Sequence, residues 1–98
     1  MTIRILIKRT VPEEKARDLI PKFKKIRQLA VQQNGYISGE TLRSYNNPEE
    51  FLIISSWQSV ADWEKWLKNE ERQEMQDEID QLLGGKTRFE IFHYGFSE

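Results

Sequence analysis

The sequence contains no cysteine. That removes disulfides, thiol nucleophiles and thiolate metal sites from consideration, and it fits a reducing compartment. It contains one histidine, His93, so any imidazole chemistry falls on that residue. Neither charge sign dominates. Fifteen basic and 16 acidic residues leave a formal net charge of -1, with no global basic field for nucleic acid and no acidic tail. The opening Met-Thr-Ile-Arg-Ile-Leu-Ile-Lys-Arg has an apolar run too short for a signal peptide or a membrane span, so the expected location is the cytoplasm and no membrane partner is expected. Hydrophobic residues are scarce, at 38% of 98 positions. A chain of this length forms one domain, residues 1–98, and buries roughly 60–65% of its unfolded surface. A modest core with a high aromatic content is a pattern in which oligomerisation adds to the buried surface.

What is present is organised around residues 49–72. Residues 51–54, Phe-Leu-Ile-Ile, form a continuous apolar run that suits a strand buried on both faces. Ser59 is a natural N-cap. After it, Val60, Trp63 and the pair Trp66/Leu67 recur at helical spacing and line one face, while Asp62, Glu64, Lys65 and Lys68 take the wet side. Two indoles this close form either a bulky core or the wall of a cavity.

The remaining elements follow in order. Residues 2–9 alternate, with Ile3, Ile5 and Ile7 on one face and Arg4, Leu6 and Lys8 on the other, a strand pattern. Thr10-Val11-Pro12-Glu13 has the form of a capping box, with Thr10 at the N-cap and Glu13 at N3. The helix expected next extends to about Gln33, burying Ala16, Leu19, Ile20, Phe23, Ile26, Leu29 and Ala30. Pro21 inside it is expected to kink or break it near residues 18–20. Asn34-Gly35 supplies a left-handed cap. Residues 36–45 read as a second strand, with Tyr36, Ser38, Glu40, Leu42 and Ser44 sharing a face and Gly39 marking a bulge or a close backbone approach. Asn46-Asn47-Pro48 is turn chemistry, so strands two and three form a hairpin. Asn69 is a second N-cap. The helix it opens buries Met75, Ile79, Leu82 and Leu83 and stops at Gly84-Gly85. Residues 86–95 read as a last strand.

The order β-α-β-β-α-β predicts an α+β, ferredoxin-like fold, an antiparallel sheet with helices on one face. The other face carries enough apolar side chains to need a cover, and a second copy of the same sheet is the obvious one. RNA-recognition modules share this order, but they carry a Gly-rich pattern of basic and aromatic residues on strand three. Here that strand is Phe-Leu-Ile-Ile-Ser-Ser-Trp, and the acidic helix 69–80 offsets the basic stripe of Lys15 to Arg27, so nucleic acid is not an expected partner. No metal cluster, phosphate loop or Ser/His/Asp arrangement is visible.

Two stretches, Asn34-Gly35-Tyr36-Ile37-Ser38-Gly39-Glu40 and Ile54-Ser55-Ser56-Trp57-Gln58-Ser59 running into Trp63-Glu64-Lys65-Trp66-Leu67, resemble the antibiotic biosynthesis monooxygenase family of dimeric α+β barrels. The resemblance implies a homodimer paired through sheet faces, with one cavity per subunit between sheet and helices. It also implies oxidation of a small aromatic or quinol by O2 with no metal, flavin or other tightly held cofactor, the protein stabilising the deprotonated substrate. A second branch of that family degrades heme. It resembles this chain at Trp66, but it uses an Asn near the end of strand one and a heme-ligating His about ten residues after the Trp. Ile7-Lys8 and Gln76 stand at those places, so the axial ligand is missing and heme degradation is disfavoured.

The candidate site residues each have a plainer reading beside the functional one. His93 has the near-neutral intrinsic pKa of a base for a phenolic proton, or it is a strand histidine at a sheet edge or dimer contact. Trp66 is a stacking wall for a planar substrate, or helix–sheet packing, which is the reading favoured for Trp63. Arg72 at the cavity mouth steadies a phenolate, or is a solvated partner of Glu70, Glu74 or Asp77. Tyr36, Tyr45 and Tyr94 are hydroxyl donors to a substrate oxygen, or strand aromatics with wet hydroxyls. The expected catalytic pair is His93 and Trp66, with Arg72, Tyr36 and Tyr94 binding substrate. The competing function is a non-enzymatic dimeric module that binds a small molecule.

Overall fold

A computed structural model describes residues 1–96. The elements run β1 (Ile3–Thr10), α1 (Glu13–Ala30), β2 (Tyr36–Arg43), β3 (Glu50–Trp57), α2 (Val60–Leu67), α3 (Glu70–Leu83) and β4 (Glu90–His93). The strands form one antiparallel sheet in the order β2-β3-β1-β4. This is the α+β, ferredoxin-like arrangement read from the sequence.

Register assigns the two faces. Ile3 lies opposite Trp57 and His93, Ile5 opposite Ser55 and Ile91, and Ile7 opposite Ile53. This set faces the helices. Ile3, Ile5, Trp57, Trp63 and Trp66 form one core cluster, with Ile26, Leu29 and Ala30 of α1 packed on it. Val11, Leu19 and Ile79 form a second cluster at the other end, joined by Phe23 and Phe51. Each fully buried Ile or Leu contributes about 1.5–3 kcal/mol. The alternate set, Leu6 opposite Ile54 and Leu42 opposite Leu52, faces away from the helices.

Both helix starts read from single residues are present. The Ser59 hydroxyl accepts from the Asp62 N–H at 3.1 Å, and Asn69 Oδ1 accepts from the Arg72 N–H at 2.9 Å. Gly84 ends α3 in the left-handed conformation, φ 80°. Between α1 and β2, Gly35 has φ +86°, and the Asp62 carboxylate lies where a Cβ would project. The Gly35 carbonyl also accepts from the Gln58 N–H at 2.7 Å, tying the start of β2 to the approach to α2.

Other local expectations are corrected. Thr10 is no cap. It pairs with Glu50 at the end of β1, and α1 starts at Glu13 with Pro12 at the N-cap, where it offers no side-chain hydrogen bond. The Glu49 carboxylate does that work from across the chain, accepting from the Glu13 N–H at 2.8 Å. α1 runs unbroken through Pro21 and ends at Ala30, short of Gln33. Pro21 sits on the exposed side and the carbonyl it deprives belongs to exposed Arg17, so water can take the lost bond, while buried Leu19 and half-buried Phe23 hold the flanking turns. β2 stops at Arg43 and carries a register irregularity between Tyr36 and Ser38. Tyr36 therefore pairs with Trp57 toward the helices while Ser38 pairs with Ser56 on the other face. Gly39 is a close approach: the Tyr36 hydroxyl occupies the space a Cβ there would need.

The run 51–54 is only partly buried, and Val60 is exposed where the helical pattern put it inward. In α3 the buried pair is Gln76 and Ile79, with Met75 intermediate. The last strand is four residues long rather than ten, because Thr87 is drawn off toward α3, where its N–H and hydroxyl both donate to Asp80 Oδ1.

Candidate functional site

A cavity of about 310 Å³ opens between the helix-facing side of β1, β2 and β3, the inner side of α1, and the indoles of α2. This is at the lower end of the range for small-molecule pockets. Its aromatic wall is a packed set. Trp57 meets Tyr36 edge-on at 5.3 Å and Trp63 edge-on at 5.6 Å, and it stacks with Trp66 at 6.3 Å and 24°. Such contacts add about 0.5–1.5 kcal/mol each beyond burial. Ser55 fixes the Trp57 ring by accepting from its Nε1–H at 3.1 Å. The two α2 indoles are therefore both core and cavity wall: each is at least 95% buried, yet both line the open space. Trp63, expected only to pack, also presents a buried Nε1–H with no partner among the described residues.

The polar end of the cavity is made by α3 and the last turn of β1. Arg72, held at its backbone by the Asn69 cap, leans its guanidinium over Trp66 at 5.8 Å and Trp63 at 6.0 Å. It makes no ion pair with Glu70, Glu74 or Asp77; among the described residues the ion pair seen is Lys22–Glu78 at 3.0 Å.

Arg9 was not singled out in the sequence. It lies only 8% exposed on the cavity lining, its guanidinium 4.6 Å from the Phe23 ring centroid and its Nε–H without a partner among the described residues. Burial lowers its pKa from the ordinary guanidinium range to about 10; Asp80 opposes that and Arg72 adds to it. Burial lowers Arg72 as well, with Asp80 again opposing. The signal for Arg9 was in the sequence: the alternation that sends Ile3, Ile5 and Ile7 inward reaches Arg9 next.

Asp80 attracts both guanidiniums without bonding either. Its Oδ1 already accepts from Gln76 Nε2 at 2.9 Å, from the Thr87 hydroxyl at 2.6 Å and from the Thr87 N–H at 3.1 Å. Gln76, at the position where the heme-degrading branch has its ligand, is thus a buried amide tied to Asp80 and Thr87.

The cavity gathers Trp66, Arg72 and Tyr36 of the expected site residues. His93 and Tyr94 are set apart from it. His93 is exposed on edge strand β4, opposite Ile3, and Tyr94 is exposed just beyond. Tyr45 is almost fully exposed. No helix among the described residues is long and apolar enough to cross a membrane.

An aromatic cavity on this sheet, closed at one end by a tryptophan-bearing helix, agrees with the sequence match over residues 2–78: the chain belongs to the antibiotic biosynthesis monooxygenase family. Among curated relatives it is similar to the 42.8 kDa protein in the whiE locus of Streptomyces coelicolor, 23% identical over 70% of this chain and 17% of that protein. The chain spans about a fifth of the length of the curated relatives it matches, 17% and 22% in the two cases. In fold it is similar to a conserved protein from Methanosarcina mazei Go1, with TM-score 0.86 and 18% identity over 95% of this chain and 92% of the other. It is similar also to SnoaB, a cofactor-independent oxygenase from Streptomyces nogalater, with TM-score 0.84 and 12% identity over 98% and 95% of the two chains. At these identities the likeness to the solved structures is one of fold.

Proposed function

We propose that this chain forms a single domain acting in the cytoplasm as a homodimeric monooxygenase that oxidises a small aromatic or quinol substrate with O2 and needs no tightly held cofactor. The observation that carries the reading is an aromatic-walled cavity whose polar end holds one buried and one half-buried guanidinium, Arg9 and Arg72, neither ion-paired among the described residues. Family membership and the cofactor-independent oxygenase of the same fold support the reaction class. In the reaction proposed, a phenol loses its proton and the ring, rather than a cofactor, reduces O2. One oxygen atom forms the new carbonyl of a quinone and the other leaves as water, the ring losing the four electrons that O2 gains. Trp66 stacks on the ring. Arg72 and Arg9 stabilise the anion, Arg9 the more strongly because it is shielded from water. The Tyr36 hydroxyl donates to a ring oxygen. His93 remains the candidate proton acceptor and is tested as such.

One observation favours the non-enzymatic binding module as the second reading. The polar side chains at the buried end, Arg9, Arg72 and Gln76, offer donors; the carboxylate beside them, Asp80, is not on the cavity lining and its Oδ1 is taken up by Gln76 and Thr87, and the imidazole of His93 is not on the lining either.

Oxygen uptake with a panel of dihydroxynaphthalenes and anthracenols separates the two. The monooxygenase reading expects turnover that falls about tenfold or more in Trp66→Phe and Arg72→Met. Absence of uptake on every substrate, with binding retained, would leave the binding module. A wild-type rate in His93→Ala would remove His93 from the site and keep the enzyme.

A further inference from the structure

The buried end of the cavity is more specific than the reaction class requires. Arg9 is more than nine-tenths buried and its Nε–H is unpartnered among the described residues; Trp63, another lining residue, is 2% exposed and its Nε1–H is unpartnered there too. Buried donors of this kind are almost always satisfied, because an orphan costs its full desolvation. Two such residues on one cavity, with Arg72 alongside, point to a ligand that accepts hydrogen bonds. The acceptor is negative. Arg9 and Arg72 together carry two positive charges against the single carboxylate of Asp80, whose Oδ1 is already taken by three donors. Arg27 and Lys24 add positive charge at the rim. Glu40, the one acidic residue on the lining, pairs in register with Ile54 and so belongs to the opposite sheet face.

The anion also arrives already charged. A phenolate would have to be made in place, and the groups that could take its proton are badly placed: His93 is not on the lining, Asp80 is engaged by Gln76 and Thr87, and Glu40 belongs to the opposite sheet face. A carboxylic acid is ionised at neutral pH without help. A single negative charge matches the one uncompensated positive charge, and a carboxylate matches the fork of a guanidinium.

From these observations we infer that Arg9, Arg72 and the Trp63 indole N–H form a carboxylate-binding subsite, so that the cavity takes an aromatic carboxylic acid whose ring lies against Trp66 and whose carboxylate points toward β1 and α3. This deepens the reading above and rests on it only in taking the cavity as the ligand site; it does not require turnover. In the monooxygenase reading, the subsite anchors one end of the substrate and leaves the ring edge toward the mouth as the place O2 attacks.

The test is tryptophan fluorescence titration under argon, which reads binding without oxidation. The probes are 2-naphthoate, its neutral analogue 2-naphthamide, and 2-naphthyl phosphate. The expected result is naphthoate binding about tenfold or more tighter than the amide, as charge-assisted bonds require. Arg9→Met and Arg72→Met should each remove that preference while leaving amide affinity within about twofold, which a merely structural loss would not do. Equal affinity for acid and amide in the wild type would overturn the inference, as would parallel loss of both in the variants. Naphthyl phosphate binding about tenfold tighter than naphthoate would overturn the carboxylate assignment. Carboxylate preference without oxygen uptake on any substrate keeps this inference and removes the enzyme. Turnover without carboxylate preference does the reverse.

Discussion

A guanidinium with an unpartnered N–H inside an aromatic cavity destabilises the unliganded protein. Arg9 has a cation–π contact with Phe23, worth up to about 2 kcal/mol when desolvated, but it has lost its water and gained no carboxylate. Its lowered pKa has that origin. The sign follows from linkage. From about pH 10 upward the folded chain gives up the Arg9 proton before the unfolded chain does, so above that pH this residue's contribution to stability rises with pH. Below it both states are protonated and the penalty is constant. Arg9→Met keeps the stem and removes the charge. It should therefore raise the stability of the ligand-free protein by about 1 kcal/mol, near 4–8 °C in Tm for a domain of this size. The gain should be the same at pH 6 and pH 8. Calorimetry checks both, and a lower Tm would mean that the charge is compensated in the folded protein. Ligand-free stability and anion binding then move in opposite directions at one residue, as expected of a functional group held at a cost to the fold.

Among the elements, what could be read in the sequence was what nearby residues decide. Ser59 and Asn69 cap helices through bonds that span three positions, and the left-handed Gly84 needs no partner. The order of elements pointed to the ferredoxin-like sheet, and the turn at 46–48 to the pairing of β2 with β3. The misses have distant causes. The Thr10–Glu13 pair has capping-box spacing, but the ladder with β3 extends through Thr10, and Glu49 reaches Glu13 from 36 residues away. Thr87 leaves its strand for Asp80. The irregularity at Tyr36 turns that ring toward Trp57 and the cavity, where simple alternation would have kept it in phase with Ser38. The tryptophan spacing leaves core and cavity wall both open, and the sequence places Arg72 at the cavity mouth; Arg9 is signalled by the alternation of β1, but its meeting with Arg72 and Asp80 depends on the α3 packing. Substitutions separate these cases. Asn69→Ala and Glu49→Ala should each cost about 1 kcal/mol, the usual worth of a cap, while Thr10→Ala, at an exposed strand end, should stay within about 0.5 kcal/mol. Urea denaturation of the three variants measures this. A Thr10→Ala loss equal to that of Glu49→Ala would restore the local capping box.

On the scale of the whole molecule, the sheet has two unlike faces. One is packed by helices. The other presents Leu6, Leu52 and Ile54, all partly buried, with Leu42 at 45% and Phe92 at 47% exposure. Leu42 and Leu52 are direct cross-strand neighbours, as are Leu6 and Ile54, so these side chains form an apolar patch over β1, β2 and β3, bordered by Lys8, Glu40 and Glu90, with Phe92 across from Arg4. An apolar patch of this kind on a small domain marks an interaction site. A second copy, bringing the same patch by two-fold symmetry, satisfies both partners at once. The proposed homodimer is therefore expected to scatter light as a species of twice 11.7 kDa, and Leu52→Glu, which sets two carboxylates against each other across the axis, should shift it to the monomer. Because this face lies across the sheet from the cavity, the monomeric variant should still bind 2-naphthoate, with affinity within about threefold if the sheet stays intact. Loss of binding on dissociation would mean instead that the second subunit completes the cavity. A wild-type protein that remains monomeric at high concentration would leave the apolar patch without a twin to cover it, and the paired assembly would have to be abandoned while the cavity chemistry stood.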